Sequence, residues 1–268
     1  MNASPLPFAH DIMCMICGFS CDADDPERMD IHLDEYHMDT DLLEEVDEGH
    51  EYVGKQLTTV YTSNEAALSN IMKVYSREGM IVADVTFGEG VFWKHIDTHK
   101  YAFFPSDLKT NGVDFTDLPY EDNSMDIVVF DPPYRYTPAK NKATHHTERY
   151  EIKPHMNIRT TKDVLNLYRL GIAECERVLK KGGFLIIKCM DNIEAAKQYW
   201  VHIDIMSMGD DLTCRDLVIV TPPSTVASRW KRQKHLKKKH SYFIVMRKGG
   251  AWPFGQKSKE KRSVEVMA

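Results

Sequence analysis

Short apolar runs alternate with segments of helical character through the middle of the chain. The runs are typical of buried strands and lie at Met80–Asp84, Tyr101–Pro105, Ile127–Phe130, Phe184–Cys189, Leu217–Thr221 and Tyr242–Arg247. The intervening segments predict helices at 63–75, 91–98, 161–180 and 194–206. The sequence Lys180-Lys-Gly-Gly183 supplies a glycine stop for the long third helix.

This alternation of strands and helices predicts an α/β domain. It favours a doubly wound, mostly parallel sheet with helices on both faces. Ligands of such sheets bind beyond the carboxyl ends of the strands, where the strand order reverses. Asp84, Asp107 and Asp131 lie at or just after the ends of three predicted strands. We therefore expect their carboxyl groups to gather at one edge of the sheet and form a site.

A glycine-bearing turn, Asp84-Val-Thr-Phe-Gly88-Glu-Gly90, joins the first of these strands to the next segment. Gly88 and Gly90 would let the backbone approach a ligand closely. The spacing differs from the dinucleotide pattern G-x-G-x-x-G, and Glu89 would repel a pyrophosphate. The turn therefore favours a ligand with a cationic or zwitterionic centre. Asp107, in turn, is placed to accept hydrogen bonds from ribose hydroxyls.

The third strand runs directly into an acid, two prolines and an aromatic ring, Asp131-Pro-Pro-Tyr134. Together with the glycine turn, this motif resembles the S-adenosylmethionine-dependent amino-methyltransferases, which methylate exocyclic amines of nucleobases. The resemblance covers residues 57–248 and includes Val60–Glu65, which is similar to the family's segment upstream of the glycine turn. Val85 and Ser63 depart from it, since the family often has proline at both places.

The resemblance implies a class I methyltransferase, Rossmann-like fold with S-adenosylmethionine as methyl donor. The residues expected to bind the donor are Tyr61, Thr62, Asp84, Thr86, Gly88, Gly90, Asp107, Asp114 and Phe115. The residues expected to act on the target base are Asp131, Pro132, Pro133 and Tyr134. Asp131 and a prolyl carbonyl would accept the amine hydrogens, the proline pair would fix the backbone, and Tyr134 would stack on an extruded base.

The sequence says less about which nucleobase is methylated and in which nucleic acid. Tyr134 favours adenine N6 in DNA, with cytosine N4 as the other DNA target. By the same resemblance, an RNA base methyltransferase, with guanine N2 among its targets, would use the same core. A catalytically inactive nucleic-acid-binding module would keep the same fold. The intact motif and both glycines favour an active enzyme.

Length and composition limit the number of domains and the cellular compartment. The 268 residues, 43% of them hydrophobic, suffice for one sizeable core and a small accessory piece. Neither a membrane span nor a signal peptide is indicated, and the six cysteines do not form a disulfide pattern. These features predict a protein of the bacterial or viral-host cytoplasm, or of the nucleus if the chain is eukaryotic.

Charge is distributed unevenly along the chain. Residues 1–52 hold 15 Asp and Glu against Arg28 alone, whereas residues 229–263 hold 13 Lys and Arg against Glu260. A basic segment with interleaved aromatic residues is typical of nucleic-acid contacts. The residues expected to bind DNA or RNA are Arg229, Lys231, Arg232, Lys234, Lys237 and Lys238. Lys231–Lys239 also resembles a nuclear import signal.

Cysteine and histidine spacing near the N-terminus predicts a zinc site. Cys14, Cys17, His32 and His37 match a two-cysteine, two-histidine pattern and resemble a classical zinc finger. The acidic helix of this finger would be repelled by phosphate, so we expect a structural role or a protein partner. The predicted organisation is a finger at 1–40, an acidic linker at 41–56, the methyltransferase domain at 57–250 and a basic tail at 251–268.

Overall fold

In a computed structural model of the chain, the described residues are 11–13, 20–22, 54–134, 158–223, 234–236 and 238–249. The chain divides into two compact units, residues 1–50 with 251–268, and residues 51–250. In the first unit, β1 (Asp11–Met13) and β2 (Ser20–Asp22) form an antiparallel pair. The zinc ligands predicted at Cys14, Cys17, His32 and His37 lie outside the described residues.

The second unit is built on a seven-stranded sheet. Its strands in chain order are β3 (Val60–Tyr61), β4 (Ile81–Asp84), β5 (Ala102–Pro105), β6 (Met125–Phe130), β7 (Leu179–Cys189), β10 (Leu212–Val220) and β11 (Ser241–Lys248). Their spatial order is β3-β10-β11-β7-β6-β4-β5. Strands β5, β4, β6 and β7 are parallel, whereas β11 is antiparallel to both of its neighbours.

Helices cover both faces of this sheet. The helices are α1 (Asn64–Tyr75), α2 (Thr161–Val178) and α3 (Val201–Met206), with 3-10 turns at Val91–Trp93 and Thr98–Lys100. Helix α1 packs on one face with Val129, Ile186 and Phe243, while α2 and α3 pack on the other with Val128 and Ile187. Because both faces are covered, the central strands are apolar at consecutive positions rather than alternate ones. The predicted α/β class with a mostly parallel sheet is confirmed.

Helix α2 owes its start to local sequence. Thr160 accepts a hydrogen bond from the Asp163 backbone nitrogen, and the Asp163 carboxylate accepts from the Thr160 nitrogen, which completes a capping box. On the buried side of the helix, Gly171 lies against the ring of Phe130. A glycine here brings the helix axis close to the sheet.

Three predicted helix boundaries are wrong. Segment 91–98 forms 3-10 turns, and 194–206 begins as the antiparallel hairpin β8 (Asn192–Glu194) and β9 (Lys197–Tyr199) before α3. Ala195 and Ala196 take positive φ values of 49° and 62° to make the hairpin turn, which overrides the helix preference of alanine. Helix α2 ends at Val178 rather than 180, because buried Leu179 pairs with Met125 and begins β7.

Candidate active site

The sheet has a switch point at the end of β4. Strand β5 lies on one side of β4 and β6 on the other, so the connections leave in opposite directions and open a crevice. A cavity of about 470 Å³ occupies this place, a size typical of small-molecule sites. Its lining residues are Asp84, Thr86, Phe87, Gly88, Glu89, Val91, Phe92, Trp93, Asp107, Lys109, Thr110 and Asp131. The three acids expected to meet therefore do so.

Asp84 is the buried acid of this cavity, with 4% of its surface exposed. Its carboxylate accepts hydrogen bonds from Trp93 Nε1 at 2.6 Å and from the Thr86 backbone nitrogen at 2.9 Å. Burial raises the pKa of Asp84 to about 6, while both hydrogen bonds favour the ionised form. The site thus holds a carboxylate that a cationic ligand group would stabilise.

The two glycines of the turn have different surroundings. Both have positive φ values, 53° at Gly88 and 66° at Gly90. A Cβ on Gly90 would lie 2.5 Å from the Phe87 ring, whereas at Gly88 the nearest atom outside the adjacent residues would be 3.9 Å away. Gly90 is therefore required by packing within the turn, and Gly88 leaves open space on the cavity side.

Asp131 is tied to the glycine turn through its backbone. Its nitrogen donates to Thr86 Oγ1 at 2.6 Å, which joins the end of β6 to the residue after β4. The Oδ1 atom of Asp131 is shut off from solvent and has no hydrogen-bond partner within the described residues. Burial raises the pKa of this carboxyl group, Lys188 opposes the increase and Asp84 adds to it. Asp131 therefore lines the cavity with a carboxyl group of which one oxygen has no partner among the described residues.

Several of the predicted donor-binding residues are not among those that line the cavity. Asp114 accepts from the nitrogen and hydroxyl of Thr116, and Phe115 is buried with its ring centroid 5.1 Å from that of Phe130. The cavity lining found among the described residues does not include Tyr61, Thr62, Gly90, Asp114, Phe115 or Pro132 to Tyr134.

A second polar cluster adjoins Tyr134, and sequence reasoning missed it. The buried Asp191 carboxylate accepts a hydrogen bond from His202 Nδ1 at 2.7 Å, and the rings of His202 and Tyr242 stack with centroids 4.4 Å apart. Burial, with the nearby Asp191 charge, raises the pKa of Tyr242 to about 12. Asn192, next to Asp191, donates to the Tyr134 carbonyl at 3.3 Å. The only sequence signal was a polar pair directly after an apolar strand.

Part of the basic segment lies beside the β8–β9 hairpin. The Lys238 ammonium is 4.7 Å from the Trp200 ring centroid, and the indole is about half exposed at 51%. Lys197 lies 5.1 Å over the ring of Tyr199, and Lys234 is exposed. Arg229, Lys231, Arg232 and Lys237 are outside the described residues.

Two features are absent from the described ranges. Within them, no group of three or more histidine, cysteine or acidic side chains could hold a metal ion. No helix in that part of the chain is long and apolar enough to cross a bilayer.

The fold and site define the class. A mostly parallel seven-stranded sheet with helices on both faces and acids at the switch point matches the class I methyltransferase fold. The sequence model of the DNA methylase family matches residues 125–266, more than half of the chain. The chain therefore belongs to the DNA methylase family, enzymes that methylate exocyclic amino groups of nucleobases with S-adenosylmethionine.

Solved structures are similar at low sequence identity. TrmN from Thermus thermophilus shares 12% identity at a TM-score of 0.42, with 69% of this chain and 48% of that chain covered. TTHA0409, also from Thermus thermophilus and solved in complex with S-adenosyl-L-methionine, shares 16% identity at a TM-score of 0.33, with 64% of this chain and 57% of that chain covered. The N-methyltransferase NodS from Bradyrhizobium japonicum shares 12% identity at a TM-score of 0.34, with 71% of this chain and 76% of that chain covered. The chain thus spans about half the length of the first two. The comparison with curated proteins gives no match.

Proposed function

We propose that this chain transfers a methyl group from S-adenosylmethionine to the exocyclic amine of a nucleobase in DNA, adenine N6 being the target. One observation carries the proposal. Asp84 and Asp131, from two neighbouring parallel strands, meet in one cavity, and the hydrogen bond between Asp131 N and Thr86 Oγ1 fixes one turn against the other. An acid for the donor and an acceptor for the amine are thereby held side by side.

The cavity residues fit the methyl donor, which supplies an electrophilic methyl group on a sulfonium. Asp84 offers a buried carboxylate to the donor's ammonium group, and Gly88 leaves space for close approach. Asp107, partly exposed after β5, is suited to the ribose hydroxyls. Tyr61, Thr62, Gly90, Asp114 and Phe115 stay predictions from the family resemblance.

Asp131 and the residues after it would act on the amine. The Asp131 carboxylate and a carbonyl of the proline pair would accept the two amine hydrogens, which orients the nitrogen for in-line attack. Tyr134, held through its carbonyl by Asn192, would stack on the base after extrusion from the helix.

The nucleic-acid contact would extend over the hairpin and the basic segment. An exposed indole capped by Lys238, with Lys197 and Tyr199 beside it, combines a stacking surface with positive charge. Such a combination binds single-stranded or extruded segments by stacking and phosphate attraction. The basic residues outside the described ranges would add to it.

We further propose that Cys14, Cys17, His32 and His37 bind Zn²⁺ and that the acidic finger contacts a protein. Equimolar zinc in the purified chain, measured by mass spectrometry and lost in a Cys14→Ser, Cys17→Ser variant, is the expected result. An intact chain purified without zinc, and unable to bind added zinc, would contradict it.

The function is tested with labelled S-adenosylmethionine and either DNA or RNA, followed by digestion and analysis of modified nucleosides. We expect N6-methyladenine in DNA, its loss in Asp131→Ala, and its retention in Asp117→Ala, which changes an exposed acid. Methylated RNA alone would establish the RNA enzyme. Nucleic-acid binding without any methylation, in protein that binds the donor, would establish the inactive module.

A further inference from the structure

Lys188 carries a charge where the sequence is otherwise apolar. It lies in β7 within Phe184-Leu-Ile-Ile-Lys-Cys189 and is 1% exposed. Its ammonium donates to Ser241 Oγ at 2.8 Å and lies 4.2 Å from the Phe243 ring centroid. A hydroxyl and a ring face do not offset the desolvation of a buried ammonium, so this charge requires an anion nearby.

The sheet register places that anion at Asp131. Strands β6 and β7 are parallel, with Phe130 opposite Ile187, so Asp131 and Lys188 occupy the next register position. Val129 and Ile186, two residues earlier on each strand, share the core layer against α1. Because side chains alternate along a strand, Asp131 and Lys188 leave their strands on that same face.

Among the residues that the structure describes, the other ionisable groups that act on this pair are acids. Asp84 lies beside Asp131 in the cavity and adds negative charge. Tyr168 from α2 donates its hydroxyl to the Lys188 carbonyl at 2.7 Å, and Cys189 packs on the opposite face. Burial raises the pKa of both Tyr168 and Cys189 far enough to keep them neutral. Within the described part of the chain, Lys188 is thus the cation that offsets the charge of Asp131 and Asp84.

We propose that Lys188 is a positioning residue that keeps the Asp131 carboxylate ionised, ready to accept a hydrogen bond and then a proton from the substrate amine. The inference rests on the proposed function. In the transfer, the amine nitrogen gives its lone pair to the methyl carbon and the carbon–sulfur pair returns to sulfur. The proton released from nitrogen passes to the Asp131 carboxylate and from there to solvent.

The pKa shifts agree with this geometry. Burial lowers the pKa of Lys188, and Asp131 opposes that decrease, just as Lys188 opposes the increase at Asp131. Removing the ammonium should therefore raise the pKa of Asp131, so that a larger fraction is protonated at neutral pH. A protonated Asp131 has lost its negative charge and part of its acceptor capacity.

The test compares Lys188→Met, which removes the charge and keeps the apolar length, with Ser241→Ala, which removes only the hydroxyl partner. The first readout is the titration of Asp131 in donor-free protein by carbon-13 NMR of the carboxyl groups, assigned with Asp131→Asn. We expect Lys188→Met to raise the pKa of Asp131 by about one unit or more, which corresponds to ~1.4 kcal/mol. Ser241→Ala should shift it much less.

The second readout is the pH profile of methyl transfer. Lys188→Met should reduce kcat several-fold at pH 7, in step with the smaller ionised fraction of Asp131, with recovery as the pH rises and the KM for the donor unchanged. A purely structural lysine would lower stability without moving the profile. An Asp131 titration that is the same in Lys188→Met and in the unmodified chain would overturn the proposal.

Two controls keep the outcome decisive. If Lys188→Met fails to fold, nitrogen-15 NMR of the Lys188 ammonium in Asp131→Asn replaces it, and an unchanged lysine titration there would also overturn the proposal. If the unmodified chain methylates nothing, the proposed function fails, while the donor-free titrations still decide whether the two residues are coupled.

Discussion

The buried Asp84 carboxylate is unfavourable in the free protein but suited to binding a cationic ligand group. Its carboxylate is buried, which raises its pKa to about 6, yet Trp93 and Thr86 both donate to it. The free chain therefore ionises this group only as the pH rises through its pKa of about 6, roughly two units above that of an ordinary aspartate. A ligand ammonium group in the cavity would supply a positive charge beside the Asp84 carboxylate and so favour its ionised form.

This leads to a pH prediction for donor binding. Binding of S-adenosylhomocysteine should weaken as the pH falls through about 6, because a protonated Asp84 loses its charge. Asp84→Asn should bind about tenfold more weakly or worse at pH 7, since a hydrogen bond to a charged group contributes ~1.5–3 kcal/mol. Its affinity should also vary little between pH 5 and 7. Calorimetric titrations measure both quantities, with Asp107→Asn as the control that keeps the pH dependence.

Stability should respond in the opposite sense. The folded pKa of Asp84 lies above the unfolded value of about 3.9, so its contribution is fully present below pH 4 and is lost as the pH rises through 6. Asp84→Asn should therefore flatten the decline of the free energy of unfolding over that range. An unchanged slope in urea titrations would show that Asp84 does not titrate there.

In helix α2, packing against the sheet overrides helix propensity at one position. Its capping box and apolar face follow local rules, but Gly171 lies mid-helix where alanine is intrinsically better. A Cβ at this position would come within 2.3 Å of the Phe130 ring. Phe130 directly precedes Asp131, so the distance between helix and sheet affects the site as well.

Gly171→Ala should consequently destabilise the protein. Helix propensity would contribute about 1 kcal/mol of stabilisation, but forcing a methyl group into the Phe130 contact costs ~1–3 kcal/mol and displaces the end of β6. We expect a net loss in urea unfolding. Asn166→Ala, on the exposed side of the same helix, should instead gain a few tenths of a kcal/mol. A Gly171→Ala variant as stable as the unmodified chain would contradict the close packing.

The last strand of the methyltransferase unit, β11, lies inside the sheet. Strand β11 lies between β7 and β10 and is antiparallel to both, and Lys248 donates to the carbonyls of Glu176 and Leu179. A strand inside the sheet supplies hydrogen bonds on both edges and apolar side chains on both faces. We therefore expect that the unit does not fold without β11.

Truncations should separate the two units. Removal of residues 1–50 should leave cooperative unfolding and S-adenosylhomocysteine affinity unchanged, because the second compact unit begins at residue 51. Ending the chain after residue 250 should also spare folding, whereas ending it after 240 should abolish cooperative unfolding. Calorimetry on the three chains tests this, and lost donor binding in the chain lacking 1–50 would contradict the two-unit division.

Several features could be predicted from the sequence because they depend on neighbours along the chain. Apolar runs marked the strands, and the end of each strand fixed where Asp84, Asp107 and Asp131 would lie. The Asp131-Pro-Pro-Tyr134 motif and the glycine turn placed the chain with the amino-methyltransferases, and the family match agrees.

Tertiary structure decided what depends on residues distant in sequence. The hairpin at 192–199 replaced a predicted helix, Phe115 went into the core against Phe130, and Lys188 came beside Asp131. A side chain's neighbours across strands depend on the register of the entire sheet, which no local pattern contains. The chain alone therefore determined which chemical groups the site would have, and the sheet determined which of them stand close enough to act on one another.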